Sequence, residues 1–171
     1  LFLPPVPLPR RMWAGGQVES LAPLRVGMDM RRHSTITNVA WREGSAGPLC
    51  IVSVTHEISG DGTLAVRERH DILFRGGSAA PAPPAATARP PAELTWQVEA
   101  TPQLLFRFSA ITFNGHRIHY DRQYVTQVEG YPGLIFHGPL QATMLMDLAV
   151  RKTDSRPLTS FSFRAIKPVF D

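Results

Sequence analysis

From residue 138 to about 150 the chain reads as a helix that is apolar on nearly every side: Leu140, Ala142, Met144, Leu145, Met146, Leu148 and Val150 leave only Gln141, Thr143 and Asp147 polar. A helix of that kind has almost no solvent face, so the rest of the fold must supply a surface that encloses it. Its ends are marked chemically. Pro139 sits just inside the start, where a missing N–H costs nothing, and Arg151 and Lys152 stand where they complement the C-terminal dipole.

The enclosing surface is expected from the first half, where residues 12–75 have a β pattern. Residues 33–42 set Thr35, Thr37, Val39 and Trp41 on one face, and 49–58 form a longer β-branched run. Residues 63–75 alternate Leu64, Val66, Glu68, His70, Ile72 and Phe74 against Ala65, Arg67, Arg69 and Asp71. Turn signals at 43–48 and 59–62 separate these runs and predict an antiparallel sheet. The stretch GGSAAPAPPAATARPP at 76–91 is too poor in large apolar side chains to offset the entropy of ordering it, and reads as a linker. Beyond it, 94–99 looks like a short strand. Residues 102–112 place Leu104, Leu105, Phe108 and Ile111 at near-helical spacing, and 160–166 read as a last strand.

A buried helix wrapped by an antiparallel sheet is the hot-dog arrangement. The order of elements predicts an α+β double hot-dog: a degenerate, helix-poor N-terminal repeat over 1–75, a flexible Pro/Ala-rich linker over 76–93, and a C-terminal repeat over 94–171.

At 171 residues, 43% apolar and 19% charged, the chain can bury a sizeable core. Lys plus Arg outnumber Asp plus Glu by 18 to 14. These basic residues are scattered, which argues against a nucleic-acid surface and leaves a modest bias toward anionic ligands. Cys50 is the single cysteine, so no intrachain disulfide forms and a reducing, cytoplasmic compartment is expected. No run approaches the length of a membrane span, and the opening LFLPPVPLPRR is broken by prolines, unlike a signal peptide.

Chemistry is concentrated at 106–125, FRFSAITFNGHRIHYDRQYV, followed by His137-Gly138-Pro139-Leu140. Two histidines, an asparagine and several arginines between an amphipathic segment and a helix start suit a pocket better than a core. His116 and His119 as i, i+3 metal ligands lack a third ligand at a supportive spacing, so no metal is expected. His137 reads as a helix-cap or structural residue rather than a second acid, and Met144 and Met146 as core.

Asn114-Gly115-His116-Arg117-Ile118-His119 resembles the Asp-x-Asn-Pro-x-His segment of the MaoC-like, or type 2, enoyl-thioester hydratases, with His119 on that family's histidine and Asn114 on its aspartate. The strings 113–121, 131–134 and 137–142, with the opening 2–16, are similar to a subgroup holding mesaconyl-CoA hydratases and hydroxyacyl-thioester dehydratases with a degenerate first hot-dog. That resemblance implies further residues before Leu1 and after Asp171.

It also implies a hydro-lyase acting across the α,β double bond of a short acyl-CoA thioester, with no cofactor beyond that substrate. Such a reaction needs an acid/base, for which His119 titrates suitably. It needs a group to orient water, for which Asn114 serves, since an amide is no base. The developing enolate oxygen needs donors, which the backbone N–H of Gly138 at a helix start provides. Arg117, Arg122, Tyr120 and His116 are candidate substrate contacts, the arginines for a free carboxylate such as that of mesaconyl-CoA or itaconyl-CoA. A fatty-acid 3-hydroxyacyl-thioester dehydratase and a non-catalytic acyl-CoA binder are the alternatives. A thioesterase is disfavoured, because Asp147 lies at the wrong end of the helix. Hot-dog domains associate, so a homodimer or larger assembly is expected, with neither nucleic acid nor membrane as partner.

Overall fold

The structure is a computed structural model, and describes residues 2–44, 47–76, 92, 94–153 and 156–171. These fall into two compact units. The first takes the described residues up to 76 together with Pro157–Ala165, and the second takes those from 92 to Arg156 together with Ile166–Asp171. The expected linker falls outside the described residues from 77 to 91 and at 93.

The first unit is an antiparallel sheet. Strands β1 (Arg10–Ser20), β2 (Met30–Gly44), β3 (Gly47–Gly60), β4 (Thr63–Arg75) and β5 (Ser160–Arg164) lie in the order β2-β3-β4-β1-β5. The β3–β4 hairpin closes through Asp61 and Gly62, at φ of 48° and 79°. Two successive positive values make the two-residue turn whose twist suits a hairpin, which is why Asp-Gly stands there. Cys50, Val52, Val54 and Phe74 form the buried centre of the unit, and Leu3, Val6 and Leu8 of the proline-rich opening pack onto it with Ile36 and Ile72.

Two expectations change. Thr35 and Val39 do not share a face, because β2 has an irregularity between Ile36 and Asn38: Ile36 pairs with Val54, but Asn38 pairs with Ser53. One extra residue reverses the parity of every side chain after it, so Val39 and Trp41 come opposite Val52 and Cys50 while Thr35 lies opposite Thr55 on the other face. Residues 94–99 form no strand. Their alternation is present, but no neighbouring strand among the described residues offers them a ladder, and Trp96 instead has the Arg151 guanidinium over its ring at 5.2 Å. The expected last strand is present as β5, which pairs with β1, far away in the sequence.

Close packing around β1 gives a direct test. A Cβ built on Gly16 would stand 2.2 Å from the Arg69 carbonyl oxygen, a backbone atom that cannot step aside cheaply. Gly16→Ala is expected to lower the thermal midpoint of this unit by roughly 5–20 °C. Gly76→Ala, whose Cβ would meet only the Leu8 side chain at 3.6 Å, is the neutral control. Equal midpoints for the two variants would refute the packing account.

The second unit is helical. α1 (Pro102–Thr112) has the limits its apolar spacing predicts, with Thr101 Oγ1 accepting from the Leu104 N–H and Phe113 ending it in the left-handed region. A 3₁₀ turn (Arg117–His119), α2 (Arg122–Gln127) and α3 (Gly138–Lys152) follow. Leu105, Val125, Tyr131, Leu134, Phe136 and Leu140 make its core. α3 buries Leu140 and Ala142 near its start, whereas Leu145 is 52% exposed, so the helix is enclosed less completely than its composition suggests.

Candidate active site

Every candidate residue lies in the second unit. Asp121 accepts from the Tyr124 N–H to start α2, and this fixes the 3₁₀ turn just before it. That turn buries His119, which is 8% exposed. Its Nδ1 is 2.7 Å from the Ile135 carbonyl oxygen. A carbonyl only accepts, so Nδ1 carries the proton and Nε2 of the neutral ring is bare. Burial, with a smaller contribution from nearby His116, pushes the imidazole down to about 4, against the Ile135 bond that favours the charged form. His119 is therefore a neutral ring with an unprotonated Nε2 throughout the physiological range.

The His137 ring stacks on His119, centroids 3.7 Å apart and planes 17° apart. His137 is the residue before α3, yet its side chain does not cap that helix. It turns inward, fully buried, to place Nε2 2.9 Å from Ser109 Oγ on α1, with Phe108 edge-on at 4.8 Å. Of the two expected roles, cap or structural residue, the side chain does not take the first: the Ser109 hydroxyl and the Phe108 and His119 rings hold it inside the unit. Burial and the two neighbouring histidines push His137 down to about 3.

Stacking brings His119 beside the start of α3, whose first residue, Gly138, has an N–H that the helix itself does not use. Asn114 follows the end of α1; its N–H donates to the Ser109 carbonyl at 2.9 Å, and its Oδ1 accepts from the His116 N–H at 3.1 Å. The asparagine thus closes the 114–116 turn, and its side-chain NH₂ is the end left to act outward. His116 stands edge-on to His119 at 5.7 Å.

The remaining candidates face outward. Tyr120 donates to the Gly115 carbonyl at 2.9 Å. Arg117 pairs with Asp121 at 2.7 Å and lies over the Tyr124 ring at 4.2 Å. Arg122 pairs with Asp171, whose other oxygen accepts from the Leu134 N–H at 2.8 Å.

Sequence reasoning missed Ser109 and the Ile135 carbonyl. Ser109 left a signal: it falls four residues after Leu105 on the buried side of α1, a small polar residue on an apolar stripe. The carbonyl left none, since a backbone atom's partner is set by tertiary structure.

A buried imidazole with a bare nitrogen, beside unpaired N–H donors at a helix start, can take a proton from water and return it while the helix end holds developing negative charge on an oxygen. Known proteins with this kind of chain are hydratases and dehydratases. The chain is 47% identical to the mesaconyl-C(4)-CoA hydratase of Chloroflexus aurantiacus, over 99% of its own length and 61% of that protein's. It is 31% identical to the mitochondrial hydroxyacyl-thioester dehydratase type 2 of Schizosaccharomyces pombe, over 66% of its length and 36% of that protein's. The chain therefore spans less than two thirds of either relative. Its fold is that of the MaoC-like dehydratase from Phytophthora capsici, with a TM-score of 0.69 at 18% identity over 99% of this chain and 62% of that one. A profile of the hydroxyacyl-thioester dehydratase type 2 family matches residues 1–171, and to that family this chain belongs.

Proposed function

We propose that the protein is a hydro-lyase that adds or removes water across the α,β double bond of an acyl-CoA thioester. The observation that carries this is the buried His119, bound through Nδ1 to Ile135 so that Nε2 is bare. His119 takes the proton of water during hydration and returns one to Cα, Asn114 orients through its NH₂ group, and the Gly138 N–H holds the thioester oxygen. The substrate proposed is a branched dicarboxylyl-CoA, mesaconyl-CoA or itaconyl-CoA, of which the name of the Chloroflexus relative supports the first. Arg117 and Arg122 each already hold a carboxylate. A substrate carboxylate would share one of their forks with Asp121 or Asp171.

The name of the fission-yeast relative favours a second reading, dehydration of a 3-hydroxyacyl thioester, which is the same chemistry in reverse. With the hydro-lyase proposal go a double hot-dog divided at 1–75, 76–93 and 94–171, a cytoplasmic location and self-association. No helix among the described residues is long and apolar enough to cross a membrane. The sheet has β2 and β5 at its edges. A single monomeric species in sedimentation at micromolar concentration would count against self-association.

The deciding experiment follows the ultraviolet band of the conjugated enoyl thioester on mixing the protein with mesaconyl-, itaconyl- and crotonyl-CoA. Loss of the band, ranked mesaconyl or itaconyl over crotonyl, is expected. Binding of these esters with no turnover of any would instead indicate an acyl-CoA binder.

A further inference from the structure

His137 has an atom that neither the packing nor the reaction scheme above uses. The side chain is 0% exposed, its Nε2 is taken by Ser109, and its Nδ1 is buried without a hydrogen-bond partner among the described residues. An unpaired buried polar atom costs about 1–3 kcal/mol, which a phenylalanine stacked between Phe108 and His119 would avoid. Two tautomers satisfy Ser109. If Nδ1 held the proton, an orphaned N–H would be buried, which is rarer in proteins than an orphaned acceptor. The consistent arrangement has Nε2–H donating to Ser109 Oγ and a bare lone pair on Nδ1. Burial keeps this ring neutral.

The reaction asks the site for a second acceptor beside His119 Nε2. An attacking water has two O–H groups: one is given up to His119, and the other must be accepted by something. Asn114 Oδ1 accepts from the His116 N–H. His137 is stacked flat on the base and is bonded directly to Gly138 at the helix mouth.

Resting on the hydro-lyase reading, we infer that His137 Nδ1 is the second acceptor, which with His119 Nε2 holds the water that attacks and, in reverse, the hydroxyl that leaves. In hydration one water proton passes to His119 Nε2 as the oxygen bonds to Cβ, and the π pair moves to Cα and the thioester oxygen. The proton on His119 then goes to Cα. The second hydrogen stays on oxygen as the product hydroxyl, hydrogen-bonded to His137 Nδ1, and His137 neither gains nor loses a proton.

Three substitutions in the full chain separate this role from packing. In His137→Asn the amide oxygen occupies roughly the position of Nδ1 but does not reach Ser109. In His137→Gln the amide reaches toward Ser109 and nothing stands at Nδ1, and His137→Phe keeps the stack without either nitrogen. With the best of the three CoA esters, kcat is expected to fall about 100-fold in the Gln and Phe variants with KM changed less than about threefold, and Asn is expected to recover to within about tenfold of wild type. A Gln or Phe variant as fast as Asn, or faster, overturns the inference and leaves a packing role. If Phe fails to fold, the Asn–Gln comparison decides alone. A wild type active through His119 but indifferent to His137 sinks this inference only, whereas a wild type inactive on every ester sinks it together with the hydro-lyase reading.

Discussion

Replacing His119 by alanine is expected to reduce turnover of the enoyl thioester by at least about 1,000-fold while leaving CoA-ester affinity within about tenfold. The reason is specific to one nitrogen. Nδ1 is spent on the Ile135 carbonyl, so all proton transfer falls to Nε2. His119→Asn sharpens the point, because its amide NH₂ can still donate to Ile135 while nothing remains where Nε2 stood. It should be as inactive as alanine but better folded. More than about a tenth of wild-type turnover in the Asn variant would show that His119 anchors the loop and another group does the chemistry. The rate should also be flat from pH 8 downward and fall only as the pH nears 4, where His119 gains its proton.

The second large effect concerns stability in acid. His119 and His137 are held neutral, down to about 4 and about 3, whereas each would titrate near 6.5 in the unfolded chain. Between those values the unfolded state binds more protons than the folded one, so stability falls as the pH drops. The loss begins near pH 6.5 and is complete only below the folded values. His119 alone makes it on the order of 3 kcal/mol. Asp121, held below the usual carboxylate range by the Tyr124 N–H and Arg117, adds a loss in the same direction once the pH passes below 3.8. Proton NMR of the ring hydrogens checks this, since those of His119 and His137 should not titrate between pH 8 and 5. Titration of both rings within that range would refute it, as would an unfolding midpoint that stays unchanged from pH 7 to 4.5.

What the sequence made legible was what local periodicity controls. The limits of α1, the start of α3 and the run of β4 follow from spacing, Pro139 and the Asp61-Gly62 turn, each of which acts within a few residues. Misreadings arose where a distant partner decided the outcome. Residues 94–99 alternate like a strand but found no ladder, and the extra residue near Thr37 in β2 is invisible to a count of two. In the site, His119 stood out by its string, but the atom that fixes its tautomer belongs to Ile135, sixteen residues on. His137 looked like a cap because it precedes Gly138-Pro139. Only the fold shows that Ser109, on another helix, competes for it.

The pairing of β5 with β1 bears on how the chain is made. β1 leaves the ribosome well before its partner, and one of its two edges is filled by Ser160–Arg164. At ordinary rates of synthesis that edge waits on the order of ten seconds with Gly15 to Glu19 unpaired. Closing it also draws together residues far apart in sequence, a slow kind of contact. Until then only β2, β3, β4 and β1 are available to the sheet, and emergence of Ser160–Arg164 supplies the strand that covers the remaining flank of β1.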